Sequence, residues 1–230
     1  MHVKSKQGYP LHLAVRNGNL VHAHTLLQER ADPNILNERG ETPLHFAVWY
    51  DKPDLVRALL ENGANPNKQN KYENTPLHLA VWNDKPVHVR ALLENGADPN
   101  IQDDHEVTPL HLHLAVRDDK PDLVRALLEN GADPNIQNKY GRTPLHGAVK
   151  KGYLGLVKDL LQAGAKSDLR DIDGNTPLHL SQDYIYIEIM NLLLESKKKY
   201  TKREVDTSRW EVMNKNLMRQ SFTFATDTRD

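Results

Sequence analysis

The feature that most constrains the fold is a short sequence that recurs along most of the chain. A two-residue pair followed by Leu-His begins at positions 9, 42, 75, 108, 143 and 176, so the spacings are 33, 33, 33, 35 and 33. Gly-Ala and Pro-Asn pairs recur with the same period. A fixed period of roughly 20 to 50 residues indicates repeated supersecondary units that stack on one another. The chain is therefore predicted to form a solenoid rather than one globular core.

One unit can be read between residues 37 and 67. Thr42 precedes Pro43, which is the arrangement of a helix N-cap followed by proline at the first helical position. Apolar residues at helical spacing predict a short first helix, and a second helix begins near Pro53. Gly63 fits a left-handed C-cap. Neither helix is long enough to be stable alone, so each unit must bury its apolar faces on its neighbours.

The repeated sequences Thr-Pro-Leu-His-x-Ala and Gly-Ala-Asp-Pro-Asn resemble the ankyrin repeat. The resemblance implies an all-α solenoid of stacked helix-turn-helix ankyrin repeats with projecting hairpin loops and a concave, protein-binding groove. We predict an N-terminal lead over 1–8, a repeat domain over 9–196 and a basic C-terminal segment over 197–230. The six repeats start near residues 9, 37, 70, 103, 138 and 171, and the first and last resemble caps.

The turn between the two helices departs from the family pattern. Many members have Gly-His there, whereas this chain has Asp51-Lys52, Asp84-Lys85 and Asp119-Lys120. Aspartate tolerates a left-handed conformation, at some cost. The Asp-Lys-Pro variant and the cysteine-free, polar repeats are somewhat similar to ankyrin proteins of intracellular bacteria, which are often host-directed effectors. Glu73 and Glu106 also replace the hairpin glycine that Gly40 represents.

The twelve histidines raise the question of a metal site, but the sequence argues against one. Six belong to the repeated motif, and the resemblance implies that they bond within and between repeats and brace the loops. Histidines one repeat apart are separated by about 10 Å, too far to share a metal ion. His22 and His88 share a position held elsewhere by leucine, which predicts buried or half-buried core histidines. We therefore predict no metal site and no cofactor.

Enzymatic activity is not predicted. The chain has no cysteine, so it lacks thiolate catalysis and disulfides. It contains no glycine-rich phosphate loop of known spacing, no Gly-x-Ser-x-Gly and no His-Glu-x-x-His. The resemblance implies instead a monomeric, non-enzymatic module, an adaptor, scaffold or host-directed effector, whose partner is another protein and not a small molecule.

The candidate contact residues are those that vary between repeats at the hairpin tips and at the ends of the first helices. The family uses these positions for contact, and Trp, Tyr and Arg are enriched in interface hot spots. An aromatic group in repeats 2 and 3 and a basic group in repeats 4 and 5 predict a partner segment with aromatic and then acidic residues. Packing on neighbouring loops and scattered solubilising charge are the alternatives. The predicted contact residues are Trp49, Tyr50, Tyr72, Trp82, Asn83, Arg117, Asp118, Lys139, Tyr140, Arg142, Lys150 and Lys151.

The C-terminal segment differs in charge from the repeats. Residues 197–230 hold nine Lys/Arg and five Asp/Glu, a net +4, against −5 for residues 1–196. The alternative function is therefore a localising or regulatory protein whose tail contacts nucleic acid or an anionic membrane. Ser208 to Glu211 forms a capping-box sequence before a short helix, and 220–230 has the composition of a disordered end. No signal peptide or membrane helix is evident, so a cytoplasmic location is predicted, with export into a host cell or the nucleus as alternatives.

The fourth copy of the motif, TPLHLHLAVRDDKP (108–121), carries two extra residues. Two residues inside a helix rotate everything beyond them by about 200°. Because the sequence from Ala115 to Pro121 matches the other copies, we predict that the downstream register is kept. His113 would then take the motif position, and Thr108-Pro109 would lie in a hairpin longer by two residues. The alternative is a bulge in the helix, with His111 in the motif position.

Overall fold

The computed structural model describes residues 9–116, 121–180 and 187–200, and within them the side chains of 113–116, 187 and 197–200 are not described. Every regular element in these ranges is a helix. The first helices of successive repeats are α1 Pro10–Arg16, α3 Pro43–Trp49, α5 Pro76–Trp82, α7 Pro109–Val116 and α9 Pro144–Lys151. The second helices are α2 Leu20–Gln28, α4 Pro53–Glu61, α6 Pro86–Glu94, α8 Pro121–Glu129 and α10 Leu154–Gln162. The sixth repeat has a 3₁₀ turn, Pro177–Leu180, and α11, Ile187–Tyr200.

The helices are arranged as two stacked layers. Each first helix packs on the first helix of the next repeat, and the second helices stack in the same order through α11. One leucine from each first helix after α1 is fully buried at this junction: Leu44, Leu77, Leu110 and Leu145. The second helices contribute the equivalent buried leucines Leu59, Leu92, Leu127 and Leu160. The predicted all-α solenoid is confirmed, and its core is a continuous strip between the layers.

The first helices begin where the sequence predicts. Thr42 and Thr75 have extended backbones and their hydroxyls accept a hydrogen bond from the backbone N–H three residues later, while proline follows each of them. The histidine three residues on closes the reciprocal capping interaction, because its Nδ1 accepts from the threonine N–H. Helices of only seven residues would not form alone, so this capping and the stacking both stabilise them.

The loops between repeats are joined by two ladders of side-chain amides. Asn67 donates from Nδ2 to the Gly96 carbonyl, and its Oδ1 accepts from the Asp98 N–H. Asn34, Asn100 and Asn135 repeat this pattern at their own junctions. A second ladder links Gln69 to the Gln102 carbonyl and continues along the stack. Together the ladders fix the spacing of the loops.

The structure corrects the prediction for the insertion in the fourth repeat. His111, not His113, takes the motif position: its Nδ1 lies 2.8 Å from the Thr108 hydroxyl and its Nε2 lies 2.9 Å from the Arg142 carbonyl. Thr108-Pro109 begins α7 and is not displaced into the hairpin. The two additional residues therefore lie between His111 and Pro121. Thr108, Pro109, Leu110 and His111 keep the capping contacts of the motif. A helix that started two residues later would lose these contacts.

Candidate functional site

The motif histidines bond within and between repeats. His45 Nδ1 accepts from the Thr42 N–H, and its Nε2 lies 3.0 Å from the Asn74 carbonyl of the next repeat. A carbonyl can only accept, so the proton is on Nε2 and the ring is neutral. His78, His111 and His146 have the same partners at their own positions. No cluster of potential metal ligands occurs in the described part of the chain.

Burial explains why these rings stay neutral. Desolvation lowers the pKa of His45 and of His111 to about 4, although the acceptor carbonyls of Asn74 and Arg142 act in the opposite direction. The same desolvation lowers the pKa of His78 and His146. A second proton would also sit on Nδ1, where it would face the N–H of the capping threonine. The histidine bridge is therefore a neutral-pH interaction.

The two tryptophans of the repeat domain lie on the surface. Trp49 ends α3 and Trp82 ends α5, so they hold the same position on helices that stack directly on each other. Their exposed fractions are 56% and 48%, although the other apolar residues of these two helices are buried or half-buried. Tyr50 follows Trp49, and its ring packs against Phe46 at 5.8 Å between centroids. We call the surface formed by the first-helix ends and the hairpin tips the groove surface.

Other predicted contact residues are spread along the groove surface. Tyr72 is exposed in the hairpin of the third repeat, and Tyr140 is exposed two repeats further on. Lys139 lies over the Tyr140 ring, with Nζ 5.3 Å from its centroid. Asn83 is half-buried and donates to the Leu79 carbonyl of its own helix, which reduces its availability to a partner. Arg117 and Asp118 lie outside the described residues.

The predicted basic group divides into free and paired charges. Lys150 and Lys151, in the last turn of α9, are exposed. Arg142, by contrast, pairs with the buried Asp171 at 3.3 Å and reaches Asp173 at 3.7 Å. Burial alone would raise the pKa of Asp171, but the hydrogen bonds from the Asn175 N–H and from Arg142 outweigh it and lower the pKa. Arg142 therefore joins two hairpins and contributes little free positive charge.

Comparison with known protein families gives a match over most of the chain. The family model for Ankyrin repeats (3 copies) matches residues 6–103 and 112–204. The chain belongs to the ankyrin repeat family. The crystal structure of EF0377, an ankyrin repeat protein, is similar with a TM-score of 0.73 at 26% sequence identity, over 81% of this chain and 96% of that one. Comparison with curated proteins gives no match.

Ankyrin repeats generally act as protein–protein interaction modules, and the fold is typically a non-enzymatic scaffold. The unmatched residues 104–111 of this ankyrin chain lie immediately before the lengthened part of its fourth repeat. No helix in the described ranges is both long enough and apolar enough to cross a membrane.

The Asp-Lys departure from the ankyrin pattern has a structural reason that sequence reasoning missed. Asp51 has φ 55° and Asp84 has φ 52°, so both are left-handed where the family has glycine. The Asp51 carboxylate accepts from Lys85 Nζ of the next repeat at 2.6 Å and lies 3.1 Å from His88 Nε2. The hydrogen bond from Lys85 is the main cause of the lowered pKa of Asp51. The separation of 34 residues between Asp51 and Lys85, close to one repeat, is the sequence signal that indicates this contact.

The prediction of two core histidines is right for His88 and wrong for His22. His88 is buried, with Nε2 facing Asp51 of the preceding repeat at an ion-pair distance but without a well-aligned hydrogen bond. Its Nδ1 has no hydrogen-bond partner among the described residues. His22 is exposed. This position faces the preceding repeat, which covers the side chain of His88. No repeat precedes His22 in the described part of the chain, so its side chain is exposed.

Proposed function

We propose that this chain is a non-enzymatic adaptor or scaffold that binds a partner protein through its groove surface. The observation that carries the proposal is the pair Trp49 and Trp82, which repeat at one position on adjacent helices and stay about half exposed. Large aromatic side chains exposed in register are costly to solvate and are typical of interface hot spots. The hairpin tips with Tyr72 and Tyr140 extend the same surface.

The test is a pull-down with purified chain as bait, comparing the natural protein with Trp49→Ala/Trp82→Ala. We expect the double variant to lose the captured partner, with affinity reduced about 100-fold if each tryptophan contributes ~1–2 kcal/mol. Both side chains are at the surface, so the helical circular dichroism and the melting temperature should stay unchanged. Those two measurements establish that the loss is one of binding and not of folding.

A matched control uses exposed apolar residues away from the groove surface. Val21 and Val87 lie at the start of second helices, with exposed fractions of 77% and 61%. The Val21→Ala/Val87→Ala variant removes exposed apolar area from the opposite layer of the stack. It should capture the partner as the natural chain does. Unchanged capture by the tryptophan variant, or equal loss in the valine variant, would reject the groove surface as the binding site.

A further inference from the structure

The two halves of the groove surface differ in chemistry. In repeats 2 and 3 it presents Trp49 and Trp82, with Phe46 and Leu79 half-buried beside them. In repeat 5 it presents Lys150 and Lys151, which have no carboxylate partner among the described residues. A segment that fits both halves would carry aromatic side chains first and acidic side chains a fixed distance later.

The chain contains one such segment beyond its last described helix. The sequence SFTFATDTRD (221–230) holds two of the three phenylalanines of the whole protein, followed by Asp227 and Asp230. With Arg229 it has a net charge of −1, whereas 197–203 has +5. The lysine-rich part of the tail would be repelled by Lys150 and Lys151, but the terminal part would be attracted.

We infer that residues 221–230 occupy the groove surface of the same chain, with Phe222 and Phe224 against Trp49 and Trp82 and Asp230 near Lys150 and Lys151. The inference rests on the proposed function, because it names a regulator of that same surface. A partner would then have to displace the segment, which makes the segment autoinhibitory.

The distances agree with this arrangement. Trp82 and Lys150 are two repeats apart, which is about 20 Å at about 10 Å for each packed helix. Asp230 lies six positions after Phe224, and an extended chain spans about 20 Å over six positions. From Tyr200, the end of α11, the 22 residues to Phe222 can span up to about 70 Å when extended, and about 55 Å if roughly ten of them form the helix predicted after Ser208. Repeats 6 and 2 are about 40 Å apart, so the segment reaches.

Covalent linkage makes even a weak contact effective. A linked segment is present at an effective concentration on the order of 1 mM, so a segment with a Kd of about 100 µM would occupy the surface about 90% of the time. A free partner protein at micromolar concentration would need a substantially lower Kd to compete. The linkage therefore sets a threshold of affinity for any partner.

The absence of cysteine permits a direct proximity test in the full chain. Ala225→Cys is labelled with bimane, a dye quenched on contact with tryptophan, and Trp210→Phe removes the tryptophan of the tail itself. We expect about twofold or greater recovery of fluorescence when Trp49→Phe/Trp82→Phe is added, given the high occupancy of a linked segment. Adding Phe222→Ala/Phe224→Ala instead should also restore it, while the matched Thr223→Ala/Thr228→Ala should not.

Two results would overturn the inference. Fluorescence that is insensitive to Trp49 and Trp82 would mean that the segment does not occupy the surface. Quenching of a labelled, groove-substituted chain on mixing with unlabelled natural chain would assign the contact to a second copy. The pull-down distinguishes the two proposals: a partner that still requires both tryptophans, with no quenching, rejects self-occupation and leaves groove binding intact. Quenching in the natural chain, together with a Phe222→Ala/Phe224→Ala bait that captures no tryptophan-dependent partner, supports self-occupation and rejects the proposed partner site.

Discussion

At the scale of single residues, neutral imidazoles connect one repeat to the next. His45 can serve as an acceptor at Nδ1 and a donor at Nε2 only while it carries one proton. His12 shows the consequence of changing its partner, because Tyr9 replaces the capping threonine and Nδ1 has no hydrogen-bond partner among the described residues. The motif is therefore a pair of interactions, and the first repeat retains only the half that faces its neighbour.

The free energy of unfolding should fall in acid. Because burial lowers the folded-state pKa of His45 and His111 to about 4, the stability they provide is fully present above the unfolded value of about 6.5. It is lost as the pH falls from there towards 4, at up to ~1.4 kcal/mol per pH unit for each histidine. Urea unfolding at pH 7.5, 6, 5 and 4 should show a steadily falling midpoint. A midpoint that is constant from pH 6.5 to 4.5 would contradict the neutral, buried state of these histidines.

The second prediction concerns His88. Replacing it with leucine, as found at the equivalent Leu55 and Leu123, removes a buried Nδ1 that has no partner, while Asp51 keeps Lys85. Leaving a buried polar group unpaired costs about 1–3 kcal/mol, so His88→Leu should raise the free energy of unfolding by about 1 kcal/mol or more. The exposed His22→Leu is the control and should change it by less than about 0.5 kcal/mol. A lower melting temperature for His88→Leu would show that the pair with Asp51 outweighs the desolvation.

At the scale of elements, the hairpins differ in how closely they approach. Where the hairpin residue is Gly40 or Gly141, a backbone nitrogen of the next hairpin lies 3.1 or 3.0 Å from the carbonyl oxygen of the residue before that glycine. Where it is Glu73 or Glu106, both left-handed, the distances are 3.4 and 3.3 Å. A Cβ at Gly141 would lie 3.0 Å from Asp171 Cα. The glutamates thus coincide with a wider junction in the middle of the stack.

The third prediction follows from those distances. Glu73→Gly should stabilise the protein by about 1 kcal/mol, because a left-handed side chain costs about 1–2 kcal/mol and glycine does not. Gly141→Ala is the reciprocal change and should destabilise it, since it adds both the strain and the contact with the next hairpin. Gly63→Ala adds the strain alone, because nothing lies within 4 Å of its Cβ position. Thermal unfolding should rank Gly141→Ala below Gly63→Ala, and the reverse order would contradict the close approach.

Most of the elements follow from local patterns in the sequence, and the exceptions have identifiable causes. Threonine, proline and periodic leucines predict the helix starts and the buried face correctly. The match from Ala115 onwards predicts the wrong position for the insertion, because the capping contacts of Thr108 and His111 fix the start of the helix. The prediction for His22 is wrong because a repeat pattern does not include the end of the stack. The pairing of Arg142 with Asp171 is a contact between repeats, which single-repeat reasoning does not reveal.

At the scale of the whole molecule, stability is distributed along a line. The principal contacts of each repeat are with its immediate neighbours, and the hydrogen bonds at each junction recur in kind. Such arrays behave approximately as sums of repeat and interface terms. The groove surface is extended in the same way, because each repeat contributes one helix end and one hairpin tip to it.

The fourth prediction tests that additivity. Inserting a second copy of residues 70–102 after Gln102 duplicates one complete unit of 33 residues, with its Asn, Gln and His bridges. The longer chain should keep its helical signal per residue, unfold at no lower temperature, and gain about 10 Å in length by small-angle scattering. A copy of residues 70–101 is the control, since it lacks Gln102 and breaks the register. Equal stability of the two insertions would contradict the model of matched interfaces.

The amide and imidazole bridges between repeats all have the same polarity. At each junction the N-terminal repeat supplies the side chain, as Asn67 does, and the C-terminal repeat supplies the backbone groups, as Gly96 and Asp98 do. The two ends of the array are therefore chemically different, and two like ends cannot satisfy each other. End-to-end contact between copies through these bridges would be head-to-tail, which is a heterologous arrangement that continues indefinitely unless it closes into a ring. The atypical first and sixth repeats stand at the two ends where such growth would begin.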